Sequence, residues 1–198
     1  GLRFSSRAQA EAAIECLLAA GFATVEVTMT TPDAVSLIGD LRRHSPSAFL
    51  VGAGTILDVD VARACLRAGA DYFVSPGFVP GLAELAHAAH RPCVMGGFTP
   101  SEVLAARRAG ADIVKVFPAF TGGPKHLAAM HAVYPHIPMC PTGGVSLDNM
   151  HDYFAAGAAV VGIGNNLIDS NALARGDRDV VIAHAQQFLD AARNITRV

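Results

Sequence analysis

The feature that most constrains this chain is a regular alternation of two kinds of segment. Short, β-branched apolar runs lie at 23–29, 48–51, 72–74, 92–95, 113–117, 137–140 and 159–163. Between them lie Ala/Leu-rich runs of helical spacing at 7–20, 32–44, 58–68, 79–89, 100–109, 124–133, 147–156 and 178–194. The strand-like runs lack the polar/apolar alternation of a half-solvated sheet. Both faces of the sheet are therefore expected to be covered, the condition of parallel strands. Strands separated by helices of about 10–15 residues predict βαβ units. Ala20-Gly21-Phe22, Ala68-Gly69-Ala70, Ala109-Gly110-Ala111 and Ala156-Gly157-Ala158 each close a helix and lead into a strand, with glycine as the left-handed stop. Pro32, Pro80 and Pro100 sit near helix starts, where a missing N–H costs little.

Seven strand candidates are followed by helices, and Leu2-Arg3 reads as the tail of an eighth strand, truncated at the N-terminus. Eight units in 198 residues predict one (β/α)8 TIM barrel over 1–198, a closed sheet of eight parallel strands. The competing open, doubly wound sheet is disfavoured because no Gly-x-Gly-x-x-Gly follows the first strand and no long insertion interrupts the units. A composition that is 52% hydrophobic and 16% charged excludes a disordered chain. The net charge of −2 argues against a nucleic-acid partner. No apolar run approaches the roughly 18 residues that span a bilayer, so no membrane partner is expected. Cys16, Cys65, Cys93 and Cys140 sit in apolar segments without a Cys-x-x-Cys pair. They read as small buried hydrophobes of a cytoplasmic protein, neither disulfides nor metal ligands.

Four features at the predicted strand ends stand out. Of 15 basic residues only Lys115 and Lys125 are lysines, and Lys115 lies inside the apolar run Asp112-Ile-Val-Lys-Val-Phe-Pro118. Burial strips an ammonium of its water and brings the neutral, nucleophilic amine within reach, as Schiff-base chemistry needs. A structural lysine paired with a buried carboxylate is the equal alternative. Glu26 interrupts the Val-rich Val25-Glu-Val27 and is costly there unless paired. It reads as a general acid/base, as the counter-ion of Lys115, or as both. Val51-Gly-Ala-Gly-Thr55 lets a backbone approach a ligand or merely makes a tight turn. Pro141-Thr-Gly-Gly-Val145 and Gly162-Ile-Gly-Asn-Asn166 follow the last two strands, where barrels bind phosphate through backbone N–H groups. The eight His fall on helices or loops, and no metal-ligand spacing is visible.

In this order, Glu26-Val-Thr, Val51-Gly-Ala-Gly-Thr, Val74-Ser-Pro-Gly, Val114-Lys-Val-Phe-Pro-Ala and Cys140-Pro-Thr-Gly-Gly-Val resemble the 2-keto-3-deoxy-6-phosphogluconate / 4-hydroxy-2-oxoglutarate aldolases, which include the phosphogalactonate aldolases. The resemblance implies a class I aldolase, commonly a homotrimer, that needs no metal and no cofactor beyond a covalent lysine Schiff base. Its small-molecule substrate is a 2-keto-3-deoxy-6-phospho sugar acid, split to pyruvate and glyceraldehyde 3-phosphate, with 4-hydroxy-2-oxoglutarate as a further candidate. Lys115 then matches the Schiff-base lysine, Glu26 the proton-transfer group and Thr55 a carboxylate contact. Phe117 and Gly96 line the pocket, and Gly143, Gly144, Gly164 and Asn165 match the phosphate end. Thr30 stands where the gluconate branch keeps an arginine, and Arg3 matches an arginine of the galactonate branch that would hold the carboxylate instead. The rival readings are a phosphosugar epimerase or isomerase with a structural Lys115, and an inactive metabolite-binding barrel.

Overall fold

The computed structural model describes residues 3–195. Six short strands form one parallel sheet in chain order. They are β1 (Thr24–Thr28), β2 (Leu50–Gly54), β3 (Tyr72–Val74), β4 (Cys93–Gly96), β5 (Ile113–Val116) and β6 (Met139–Pro141). Nine helices among the described residues surround them: α1 (Arg7–Ala20), α2 (Ala34–His44), α3 (Val59–Ala68), α4 (Leu82–Ala88), α5 (Pro100–Arg108), α6 (Ala119–Val133), α7 (Met150–Ala155), α8 (Ser170–Arg175) and α9 (Arg178–Asn194). No described helix is long and apolar enough to cross a membrane. The glycines of the four Ala/Gly cassettes all carry the positive φ that ends a helix, from 95° at Gly21 to 100° at Gly110. Pro100 opens α5 behind a capping box of Thr99 and Glu102. All four cysteines are free and buried.

Among the described residues the expected closed barrel of eight strands does not form: the sheet is open and has six strands. Leu2, half of the expected first strand, lies outside the described residues, and Arg3 belongs to no strand. The expected strand at 159–163 shrinks to a single bridge between Gly162 and Thr142. Two reasons are visible. Ala159 N–H donates to Met139 O and Gly162 N–H to Pro141 O, both at 2.9 Å, so two steps along β6 face three along this segment. That mismatch interrupts a parallel ladder in the manner of a bulge. In addition, Pro141 has no N–H to return on the side that faces the segment.

Side chains alternate across the sheet. Val25, Val27, Val51, Ala53, Phe73, Met95, Val114 and Met139 are buried in the apolar core. The register pairs Glu26 with Gly52 and Gly52 with Tyr72 on the opposite, inner face. It likewise pairs Gly96 with Lys115 and Lys115 with Cys140. Inner-face glycines give up their volume to named neighbours. A Cβ on Gly52 would stand 2.1 Å from the Tyr72 ring, on Gly54 2.3 Å from a Glu26 carboxylate oxygen, and on Gly162 2.2 Å from the Thr142 hydroxyl. Such contacts are too short for any real side chain, so glycine is what lets these polar groups into the interior.

The amino end of the sheet is tied by Asp71, which is 8% exposed. It accepts the Val51 N–H at 2.8 Å and pairs with Arg42 at 3.3 Å and Arg91 at 3.4 Å. Removing the buried carboxylate takes an ion-pair partner from both guanidinium groups and leaves the Val51 N–H without its acceptor. Asp71→Ala is expected to lower unfolding free energy by about 2–4 kcal/mol in urea titration, and Asp71→Asn by clearly less, since the amide still accepts the N–H. A loss under about 0.5 kcal/mol in Asp71→Ala would contradict this assignment.

Candidate active site

Lys115 sits on β5 and is 6% exposed, one of the few buried charged residues. Its strand places it between Gly96 and Cys140 on the inner face. Its Nζ lies 5.6 Å from the centroid of the Phe117 ring, two residues along the same face. Gly96 shapes the wall beside it: a Cβ there would stand 2.1 Å from the carbonyl carbon and oxygen of Pro76. The loop after β3 therefore closes directly onto β4. The fully buried Ser75 hydroxyl holds that loop by donating to Gly77 O at 2.7 Å.

Glu26 projects from β1 onto the same inner face, with its carboxylate folded over Gly54. Thr55, half-buried, is the next residue beyond β2. The buried Cys140 thiol registers both catalytic candidates. Burial pushes it up, the Thr142 hydrogen bond and the Lys115 charge oppose, and Glu26 adds to the rise. The registers place Lys115 beside Cys140 and Glu26 beside Gly52, all on the inner face. Tyr72 belongs to the same group: burial pushes its phenol well above the usual range, and Glu26 and Cys140 add to that rise. Thr28, Thr30 and Thr31 form a hydroxyl cluster at the carboxyl end of β1, with Thr28 Oγ1 3.1 Å from Thr30 and 3.4 Å from Thr31. Thr30 carries no charge there.

The glycine loops meet at the same end of the sheet. Gly143 and Gly144 have φ of 94° and 77°, a pair of left-handed residues that turns successive N–H groups to one side. Among the described residues, no hydrogen bond uses the N–H of Gly143, Gly144 or Gly164. Side-chain amides tie the two loops together. Asn166 Nδ2 donates to Val145 O at 3.0 Å, and Asn149 Nδ2 donates to Gly144 O at 2.9 Å. Phe117 links them to the lysine, since its Cε2 lies 3.4 Å from where a Gly143 Cβ would stand.

Arg3 is exposed, and its backbone N–H donates to Asn165 Oδ1 at 3.4 Å. The two residues line a cavity of about 240 Å³ with Phe4, Ser5, Gln9, Ile168, Ser170, Leu173 and Ala174. The structure therefore brings Arg3 to the loop at Asn165, while Lys115, Glu26, Phe117 and Gly96 share the inner face. Sequence reasoning passed over Tyr72, Cys140 and Thr142. Each takes an inward position through registers with Glu26 and Lys115 that only the folded sheet fixes.

The profile of the family described as KDPG and KHG aldolase matches residues 2–184. A probable 2-dehydro-3-deoxy-6-phosphogalactonate aldolase of Rhizobium meliloti (strain 1021) is 35% identical over 160 residues, 80% of this chain and 76% of that one. A 2-dehydro-3-deoxy-phosphogluconate aldolase of Pseudomonas aeruginosa is 35% identical over 164 residues, 82% of this chain and 74% of that one. Among solved structures, one described as native KDPGal superposes with a TM-score of 0.89 at 27% identity, covering 100% of this chain and 94% of that one. KDPG aldolase from Legionella pneumophila, holding pyruvate captured at low pH as a covalent carbinolamine, superposes with a TM-score of 0.83 at 27% identity, covering 93% and 91%. With a lysine buried on the inner face of a parallel sheet and the family profile spanning nearly its whole length, this chain belongs to the KDPG and KHG aldolase family.

Proposed function

We propose that this chain is a class I aldolase that cleaves a 2-keto-3-deoxy-6-phospho sugar acid to pyruvate and glyceraldehyde 3-phosphate, with 4-hydroxy-2-oxoglutarate as a further substrate. The observation that carries the reading is Lys115, buried on the inner face between Gly96 and Cys140. The neutral amine attacks the C2 ketone, forming a C–N bond and, after loss of water, an iminium. Glu26 takes the proton of the C4 hydroxyl as the C3–C4 bond breaks. The bonding pair flows into the iminium, which is the electron sink, so the protein supplies its own electrophile. An aldehyde leaves, the proton held by Glu26 passes to C3 of the enamine, and water releases pyruvate and regenerates the amine.

Thr55 and Arg3 hold the substrate carboxylate, Phe117 and Gly96 shape the pocket, and Gly143, Gly144, Gly164 and Asn165 receive the distal phosphate. Binding of that remote anion helps to place the scissile bond over Lys115. Leu57, 69% exposed, Phe78, 47% exposed, and Phe120, 69% exposed, follow strand ends and offer apolar surface for the homotrimer. The four buried, unpaired thiols fit a reducing, cytoplasmic setting.

Lys115→Arg keeps the charge and cannot form the iminium, so it is expected to lower kcat for cleavage at least about a hundredfold. Activity within tenfold of the parent would defeat the mechanism.

Gly144→Asp would place a carboxylate among the N–H groups of the loop, on a Cβ that stands 2.8 Å from the Phe120 Cβ at a φ of 77°. KM for the phosphorylated substrate is expected to rise at least tenfold, with little change for 4-hydroxy-2-oxoglutarate. Equal loss on both substrates would make the loop structural and remove the phosphate assignment.

Arg3→Ala separates two positions for the cation. As a carboxylate clamp it is worth about 2–4 kcal/mol, so pyruvate should become a correspondingly poorer competitive inhibitor. If pyruvate inhibits as before and KM rises only for phosphorylated substrate, Arg3 serves the Asn165 end instead.

A further inference from the structure

One polar contact of the inner face has no part in the chemistry above. Tyr72 stands on β3, level in register with Gly52 and, beyond it, with Glu26 on β1. Because Gly52 has no side chain, the Tyr72 ring crosses β2. A Cβ on Gly52 would stand 2.1 Å from its Cζ and 2.2 Å from its Cε2. The Tyr72 hydroxyl oxygen thereby reaches β1, where it accepts a hydrogen bond from Thr24 Oγ1 at 2.9 Å. Thr24 and Glu26 are two residues apart on one strand and share a face. The contact thus joins β1 to β3 over the top of β2, directly beneath the catalytic carboxylate.

The magnitude of the problem it solves is set by strand spacing. Glu26 is on β1 and Lys115 is on β5, four strands away. In a flat sheet four spacings are about 19 Å, beyond what a glutamate and a lysine can span toward adjacent carbons of one small substrate. The sheet must curl, and among the described residues no further strand joins β6 back to β1 to make it do so. A side chain that bridges β1 and β3 across a glycine supplies local curl at the edge that carries Glu26. Burial keeps the phenol in its neutral, hydrogen-bonding form.

We infer that Tyr72 is a positioning residue: lying across Gly52 and bonded to Thr24, it straps β1 to β3 and holds Glu26 where it can transfer a proton to a substrate bound at Lys115. This rests on the reading of Glu26 as the proton-transfer group. The strap is needed for turnover more than for substrate binding, because it touches neither the carboxylate contacts nor the phosphate loops.

The test compares Tyr72→Phe, Thr24→Val, the double variant and Thr24→Ser with the parent, each checked for folding by circular dichroism and melting temperature. Steady-state cleavage of 2-keto-3-deoxy-6-phosphogluconate and deuterium exchange at C3 of pyruvate are measured. Tyr72→Phe and Thr24→Val are each expected to lower kcat and the exchange rate by about 5- to 30-fold, a range above the roughly fivefold worth of one ordinary hydrogen bond. KM should stay within threefold. The double variant should be no worse than the poorer single, because both remove one contact. Thr24→Ser keeps the hydroxyl and should restore kcat to within threefold of the parent. Parent-level kcat and exchange in both single variants, or losses that multiply in the double variant, would overturn the strap. Parent-level exchange in Glu26→Gln would overturn the reading of Glu26 on which the strap rests, and leaves a separate signature.

Discussion

Everything in this site depends on keeping one amine out of water. Lys115 is 6% exposed within a sheet whose outward neighbours Val114 and Val116 are locked in the core. Such a position is costly for a side chain that carries a charged or polar head. The cost is borne by the rest of the fold: an apolar layer of helices on one face, and on the other an interior emptied of bulky side chains. Phe117 supplies the inner wall and links the lysine to the glycine loop.

The interior is made by subtraction. Gly52, Gly54, Gly96 and Gly162 each stand where a methyl group would collide with a functional neighbour: the Tyr72 ring, the Glu26 carboxylate, the Pro76 carbonyl and the Thr142 hydroxyl. Three of those neighbours are polar groups that would be costly to bury without room to find partners. Glycine weakens a strand by entropy and by missing packing. Here that penalty is what opens space for chemistry, and the long helices and the Asp71 cluster at the amino end restore the stability.

Much of this was legible before any coordinates. Helix stops at Gly21, Gly69, Gly110 and Gly157 require a backbone that only glycine adopts cheaply, so they announce themselves. A lysine and a glutamate inside Val-rich strands are equally conspicuous, because burying charge is expensive. Closure of the barrel was not legible. It hinges on whether 159–163 can pair with β6, and the missing N–H of Pro141 together with the extra residue facing it defeats that ladder. Helix α8 was passed over although Asp169 caps its start and Gly176 ends it, because six residues carry too little periodicity. Tyr72 escaped notice because a lone polar residue in a three-residue strand has no alternation to betray it, and Thr142 because it lies just past the three residues of β6. Register, which decides the inward face, is a tertiary property.

The central claim is that Lys115, and no other group, joins covalently to a 2-keto acid. The chain helps the test by having only two lysines. Enzyme incubated with pyruvate and reduced with borohydride can be digested and mapped by mass spectrometry. The account predicts the mass of one reduced pyruvyl group on the peptide that contains Lys115, none on the peptide that contains Lys125, and activity lost in step with labelling. Unmodified Lys115 under conditions where the enzyme turns over, or label on Lys125 with activity preserved, would contradict it.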